Sequence, residues 1–563
     1  MADHAVTGHP VFALSDRFVD ELAEFSPMTA SSLGIAGHDD RWDDCSPAGH
    51  QAHAELLHRY QVSLEELPPA DADEWAALAI RVLGEHLADE LEPLVQGDHL
   101  RDLGHVQSLV PTIPGIFDLM PTATIADWRN IAGRLDALPE PLAGLRQCLE
   151  VGRAEGLVAP QRQVRSIIDQ LASWTLPGGA LHRLVADFNA GPLDDPLLAG
   201  RLADGLEFAG RSTTELAAWL HDDYLPTAAT SDGVGAERYA RHARSFLGTT
   251  LDLEETYRWG WEHLLDTRSQ MRRLAAQLAP GRDLAEVVAR LAVDRRWCAS
   301  SQDEFRELML GRIRQAIGQL DGRHFDIPDQ IRTADVRLAP LGSPLGAWFV
   351  PPSEDFSRPG TTWWSIGDRR PVPLWDEVST AYHEGFPGHH LQLGIQVALS
   401  DRLSRAHRLL VWVPGYGEGW ALYAERLMHE LGYFEEAAYE LGWLAGSALR
   451  AARVAIDIGS HLDLPIPEDV PFHPGEHWTF DLGVEALERL AFQAPDLAES
   501  EMTRYLSWPA QAISYKVGER EILRLRDEVR SRAGTRFDLK SFHQQVLGHG
   551  TVGLDHLREL VLG

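Results

Sequence analysis

From Asp16 to about Leu320, apolar residues recur at intervals of three and four among Asp, Glu and Arg, as in DEWAALAIRVLGEHLADEL from Asp73 to Leu91. That is the period of amphipathic helices, so this half reads as all-α. The pattern changes between Ile331 and Asp368, where IRTADVRL, LGAWFVPP and TTWWSIGD are short β-branched or aromatic runs set apart by Pro and Gly. Such runs predict short strands, read here as a small antiparallel sheet. Helical periodicity returns at Leu374 and continues to the end. The predicted fold class is therefore mainly α, with strands confined to about 331–368.

The small-residue segment PTAATSDGVG, Pro226 to Gly235, predicts a boundary between an N-terminal helical part, 1–235, and a second part, 236–563, that carries the strands. The two are read as one integrated unit, because the segment is too short for a flexible linker. No period of 20 to 50 residues recurs, which excludes a solenoid.

Directly after the strands comes AYHEGFPGHHLQ, Ala381 to Gln392, with His383, Glu384, His389 and His390 within eight residues. In zinc hydrolases two histidines on one helix hold the metal and a Glu beside the first activates water, at the spacing HExxH. Here the fourth position after His383 is Pro387. On a continuous helix His383 and His389 would be separated by about 9 Å of rise at ~1.5 Å per residue, too far to share an ion. A metal site therefore requires the helix to break. Pro387 lacks the N–H that an unbroken helix would donate to the His383 carbonyl, and Gly388 reaches conformations closed to other residues. Removing the PG pair would put His389 four after His383, so His389 is the better second ligand and His390 the reserve.

A third ligand is expected from PGYGEGWALYAERLMHELGY, Pro414 to Tyr433, a helix ending at Gly432. Glu418 and Glu425, seven apart, share a face with Ala421 and Leu422, an unusual setting for solvated carboxylates. Glu418 is the candidate ligand, and Glu425 is left between site and surface. On the next helix Arg453, Asp457 and His461 form an i, i+4 stripe that suits either support of a metal-bound histidine or a structural ion-pair network. Near the C-terminus, TRYLSWPAQAISYKVGEREI carries Arg504, Gln511, Tyr515 and Lys516. A phenol and cations are what a hydrolase needs to steady an oxyanion and hold a substrate carboxylate.

Composition narrows the partners. The chain has 563 residues, and 51 Lys and Arg against 84 Asp and Glu give a net charge of −33, which repels phosphate backbones and anionic lipid. Neither nucleic acid nor a membrane is an expected partner. Cys45, Cys148 and Cys298 are too few and too scattered for a disulfide framework, pointing to a reducing compartment. MADHAVTGHPVFALSD lacks a basic n-region and an apolar run of signal-peptide length, so a cytoplasmic location is expected.

The chain resembles the bacterial family called domain of unknown function 885, grouped with gluzincin-type zinc metallopeptidases. The resemblance rests on HEGFPGHHLQ, on EGWALYAERL at 418–427, on LRAARVAIDIGSH at 449–461, on RYLSWPAQAISYKVG at 504–518 and on KSFHQQVLGHG at 540–550. SPLGAWFVPPSEDFSRPG at 343–360 matches more weakly, and SSLGIAGHDDRWDD extends the match toward the N-terminus. It implies a large, two-lobed helical fold with a central cleft, zinc held by His383, His389 and Glu418, and Glu384 as general base. The reading is a zinc-dependent hydrolase cleaving short peptides, with Tyr515 steadying the oxyanion and Arg504, Gln511 and Lys516 binding substrate. A metal-free peptide-binding protein and a hydrolase of non-peptide amides or esters are the alternatives.

Overall fold

The computed structural model describes residues 8–70, 73–339, 346–367 and 369–563. Helix makes up 67% of the chain, with a small sheet. The chain divides into two units, Met1–Asp232 with Ser404–Leu409, and Gly233–Leu403 with Leu410–Gly563.

The first unit is helical throughout its described residues, apart from one isolated bridge between Pro160 and Ala229. Its core gathers Ile113, Ile131, Leu135, Val164, Ile167, Leu171 and Leu202, all without exposed surface. Arg134 is buried there as well; its Nε donates to the Arg41 carbonyl and its Nη2 to the carbonyls of Pro27 and His38 and to Ser31 Oγ, while Nη1 has no partner among the described residues. All three cysteines are free thiols.

The second unit holds every chemical candidate. Its elements are α1 (Ala236–Leu247), α2 (Leu253–Leu278), α3 (Gln302–Leu320), β1 (Asp335–Leu338), β2 (Gly346–Val350), β3 (Thr361–Ser365), α4 (Glu377–Thr380), α5 (His389–Ala398), α6 (Pro414–Glu430), α7 (Ala437–Leu462), α8 (Pro495–Ser507) and α9 (Ser514–Ala533), with further short helices between and after them. Among the described residues no helix is long and apolar enough to cross a membrane.

The sheet corrects one expectation. Its order is β1-β3-β2, with β2 antiparallel to β3 but β1 parallel to it, Asp335 opposite Thr361 and Leu338 opposite Trp364. Alternation along a strand reports which face is buried, whereas the path of the connections sets direction, so the sheet is mixed. The predicted strand LGAWFVPP begins at Leu345 and TTWWSIGD ends at Asp368; those two residues lie outside the described ones, as do the first three of SPLGAWFVPPSEDFSRPG. A separate antiparallel pair joins Cys298–Ala299 to Val372–Pro373.

Two long helices bring the candidate residues together through glycine. Proline occupies the first turn of α6, where its missing N–H costs no helical bond, and Gly432, at φ +81°, follows its end. A Cβ on Gly419 would lie 2.5 Å from the carbonyl carbon of Gly518, and one on Gly518 would lie 2.0 Å from the Gly415 oxygen. Only glycine at both positions lets α6 and α9 approach so closely, and this contact holds Glu418 and Tyr515 in one neighbourhood.

Candidate metal centre

After α4 the backbone widens into a π-turn over Ala381–Gly385, extends at Phe386, passes Pro387 and Gly388, and restarts as α5 at His389. Two features pin this break. A Cβ on Gly388 would sit 1.8 Å from the His383 oxygen, so no larger residue fits, and Trp420 Nε1 on α6 donates to the Pro387 carbonyl at 2.9 Å. The detour folds His389 back onto His383. Their ring centroids lie 5.0 Å apart at 88°, where a straight helix would hold the residues apart.

Both imidazoles aim Nε2 at one carboxylate oxygen. Glu418 Oε2 is 3.3 Å from His383 Nε2 and 3.4 Å from His389 Nε2. Glu384 Oε1 stands 4.0 Å from His383 Nε2, and ligand atoms of His383, Glu384 and His389 all fall within 4.8 Å of one another. On its other side His383 Nδ1 is bonded to Glu425 Oε1 at 2.8 Å, and the second oxygen of Glu425 accepts from Ser379 Oγ. A carboxylate on the far nitrogen keeps a proton on Nδ1 and fixes the ring's orientation, so that Nε2 is the nitrogen presented to the cluster.

His390 turns away, 2.8 Å from the carbonyl of Ile331, with its ring against Phe349. The structure thus groups His383, Glu384, His389, Glu418 and Glu425 and leaves His390 out. Neighbouring positions on α5 differ by about 100° around the axis, so only one of the adjacent histidines can face the cluster.

The electrostatics fit a cation. Burial disfavours charge on His383, yet the bonds from Glu418 and Glu425 and the charge of Glu384 carry its pKa up to about 10. Glu418 is partly desolvated, but the two histidines hold its carboxyl well below the ordinary range. Burial pushes Glu384 up. Three carboxylates thus crowd two histidines in a largely desolvated space, a surplus of negative charge that a divalent ion would balance. His389 Nδ1 is also buried without a hydrogen-bond partner among the described residues. Two nitrogens and one carboxylate are a donor set zinc accepts, with an open position left over.

The remaining candidates divide. Tyr515 stacks on His383, centroids 6.2 Å apart at 18°, and its hydroxyl is 3.4 Å from Arg504 Nη2. Arg504 also donates to Gln511 Oε1 at 2.7 Å and to Glu501 Oε1 at 3.1 Å. Arg453, from the helical stripe, lies 4.8 Å over the Tyr515 ring and is ion-paired to Glu501 at 2.6 Å.

Lys516 requires a correction. It is buried, with Nζ 2.5 Å from Glu519 Oε2 and 2.8 Å from Ser447 Oγ, and Glu519 is further held by Arg426 at 2.8 Å. Tyr515 and Lys516 are consecutive, so when one faces the cluster the other points elsewhere. Lys516 is buried and commits two of its three N–H donors and its charge to structure, which removes it from substrate binding. Asp457 and His461 also stand apart, tied to Tyr239, Ala510 and the Tyr505 carbonyl. Of the groups the amino-acid pattern left undecided, Glu425 joins the cluster; its signals were the spacing of seven from Glu418 and the apolar face the two share.

Over residues 27–561 the chain matches the family described as "Bacterial protein of unknown function (DUF885)". It belongs to that family. No curated protein matches it. Two of the similar solved structures define the comparison. One is described as a "putative lipoprotein" from Colwellia psychrerythraea, with TM-score 0.85 and 21% identity, each chain covered to 98%. The other is a "putative lipoprotein of unknown function" from Shewanella oneidensis, with TM-score 0.73 and 19% identity, covering 98% of this chain and 100% of that one. At such identity they establish the fold. The cytoplasmic location expected from the sequence does not stand beside them, since both are described as lipoproteins, proteins held at a membrane surface by a lipid anchor.

Proposed function

We propose that the protein is a zinc-dependent hydrolase that cleaves short peptides. What carries the reading is the convergence of His383 Nε2 and His389 Nε2 on Glu418, with a buried Glu384 beside them. The family resemblance to gluzincin-type metallopeptidases, and the cleft-containing fold of those enzymes, belong to the same proposal. His383, His389 and Glu418 would hold zinc, which when bound supplies a Lewis acid for the scissile carbonyl and an acidified water.

The side chains do the rest. Glu384, kept poorly solvated by burial, takes a proton from the attacking water and passes it to the leaving nitrogen. Tyr515 donates its hydroxyl proton toward the carbonyl oxygen as negative charge develops there, and Arg504 beside the phenol favours that polarity. Glu425, through Ser379 and His383 Nδ1, fixes the imidazole in place.

Within the sheet, TTWWS has no edge to offer an extended substrate. As β3 it is central, both edges already hydrogen-bonded, and the described edge strands are β1 and β2.

The test pairs elemental analysis of protein purified without chelator with digestion of a peptide library. One zinc per chain and cleaved peptides are expected. Glu384→Gln should keep zinc and fold while losing roughly 10²- to 10⁴-fold in rate, the contribution of a general base. Protein that takes up no zinc, or a Glu384→Gln variant within a few-fold of the parent, overturns the reading.

A further inference from the structure

Helix α7 is buried at every position from Leu441 to Gly459 except Gly446 and Arg450, which lie one turn apart. Over that stretch the helix meets open space only there, and a guanidinium stands in that window. The window faces the metal centre. Arg453, one turn beyond Arg450, lies over the Tyr515 ring that stacks on His383. The positive charge of Arg450 is felt at Glu384 and also at Glu377 of α4.

Its neighbours have acid partners. Arg453 and Arg504 share Glu501, and Arg426 has Glu519. Arg450 forms no ion pair with a described carboxylate; its one hydrogen bond runs from Nη1 to the Gly446 carbonyl at 3.3 Å, and Nε is buried without a partner among the described residues. A Cβ at residue 446 would come within 3.0 Å of Nη1, so the glycine leaves room for the guanidinium. A fork of donors held at the mouth of a site, with most of them unspent, is built to receive a planar anion.

We propose that Arg450 binds a carboxylate of the substrate, so that the peptides cleaved are those carrying a carboxylate close to the scissile bond. The proposal rests on the peptidase reading and narrows its substrate class. The carboxylate is either the C-terminus of a short peptide or an acidic side chain.

The experiment uses four peptides of one core, with a free or amidated C-terminus and with Glu or Gln beside the cleaved bond. The full chain, Arg450→Gln and Arg450→Lys are compared by kcat/KM. The parent should prefer the carboxylate-bearing member of one pair, and Arg450→Gln should reduce that preference tenfold or more, mainly through KM. Arg450→Lys should restore part of it, since lysine keeps the charge without the fork. The pair that responds identifies the source of the carboxylate. An unchanged preference, or an equal loss on all four peptides with a lowered Tm, overturns the proposal and makes Arg450 a structural counter-charge. Calorimetric binding of the same peptides to Glu384→Gln, with and without Arg450→Gln, needs no turnover. Carboxylate-dependent binding lost with Arg450 sustains the subsite even if nothing is cleaved, whereas cleavage without discrimination removes the subsite and leaves the peptidase.

Discussion

Two buried histidine–carboxylate clusters stand in the second unit, and the same residue types behave in opposite ways. At His383 the carboxylates of Glu418 and Glu425 bond directly to both ring nitrogens, and the imidazole pKa is carried up to about 10. At His461 the ring nitrogens meet the Tyr505 carbonyl and the Val234 N–H, the nearest oxygen of Asp457 is 3.6 Å away, and burial takes the histidine down to about 4. Asp457 spends its other oxygen on Tyr239 Oη and the Ala510 N–H and is itself pushed up to about 7 by burial. The first cluster concentrates charge and leaves His389 Nδ1 unpaired; the second sheds charge and ties helices together. Partner geometry, more than residue type, separates a site from a strut.

The largest effect that can break this contrast is on metal. His383→Ala or His389→Ala should reduce zinc from one per chain to near zero and abolish hydrolysis, while His390→Ala, whose ring bonds Ile331, should keep the metal. Elemental analysis reads all three. Full occupancy in His389→Ala with loss in His390→Ala would reverse the assignment.

Next comes the phenol. Tyr515→Phe should lower kcat by roughly 100-fold with little change in KM or Tm, the scale of one oxyanion donor removed. A stability loss at unchanged kcat would move Tyr515 to the structural side of the comparison.

Glu425→Gln sharpens the role of the far side of His383. Zinc affinity should weaken about 10- to 100-fold, as for other carboxylates behind a ligating histidine, and competition with a chelator measures it. An unaltered affinity would make Glu425 a packing group.

The smallest effect belongs to the strut. The folded protein holds a proton on Asp457 up to about pH 7, whereas an unfolded aspartate releases it near pH ~4, so this residue lowers stability as pH rises between those values and no further above them. Asp457→Asn keeps an oxygen for Tyr239 and Ala510 and removes that slope. Its Tm relative to the parent should rise by a few degrees between pH 5 and pH 8, with zinc content unchanged. A change in zinc content would join the two clusters into one site.

Helical periodicity determined the fold class, because burying one face of each helix imposes the spacing of apolar residues whatever the neighbours are. The strand segments were legible for the same reason, though not the parallel pairing of β1, which depends on where the chain returns. Around the candidate metal centre, HEGFPGHH carried both the candidate ligands and the need for a break, since a proline and a glycine between two histidines restrict the backbone locally. Which histidine faces Glu418 was decided by tertiary structure, through the Trp420 bond to Pro387 and the crowding at Gly388. Lys516 and Arg450 show the limit most plainly. Both are cations on helices of the second unit, and only packing reveals that one is ion-paired to Glu519 while the other forms no ion pair with a described carboxylate, because the net environment of a charge is a sum over residues distant in the chain.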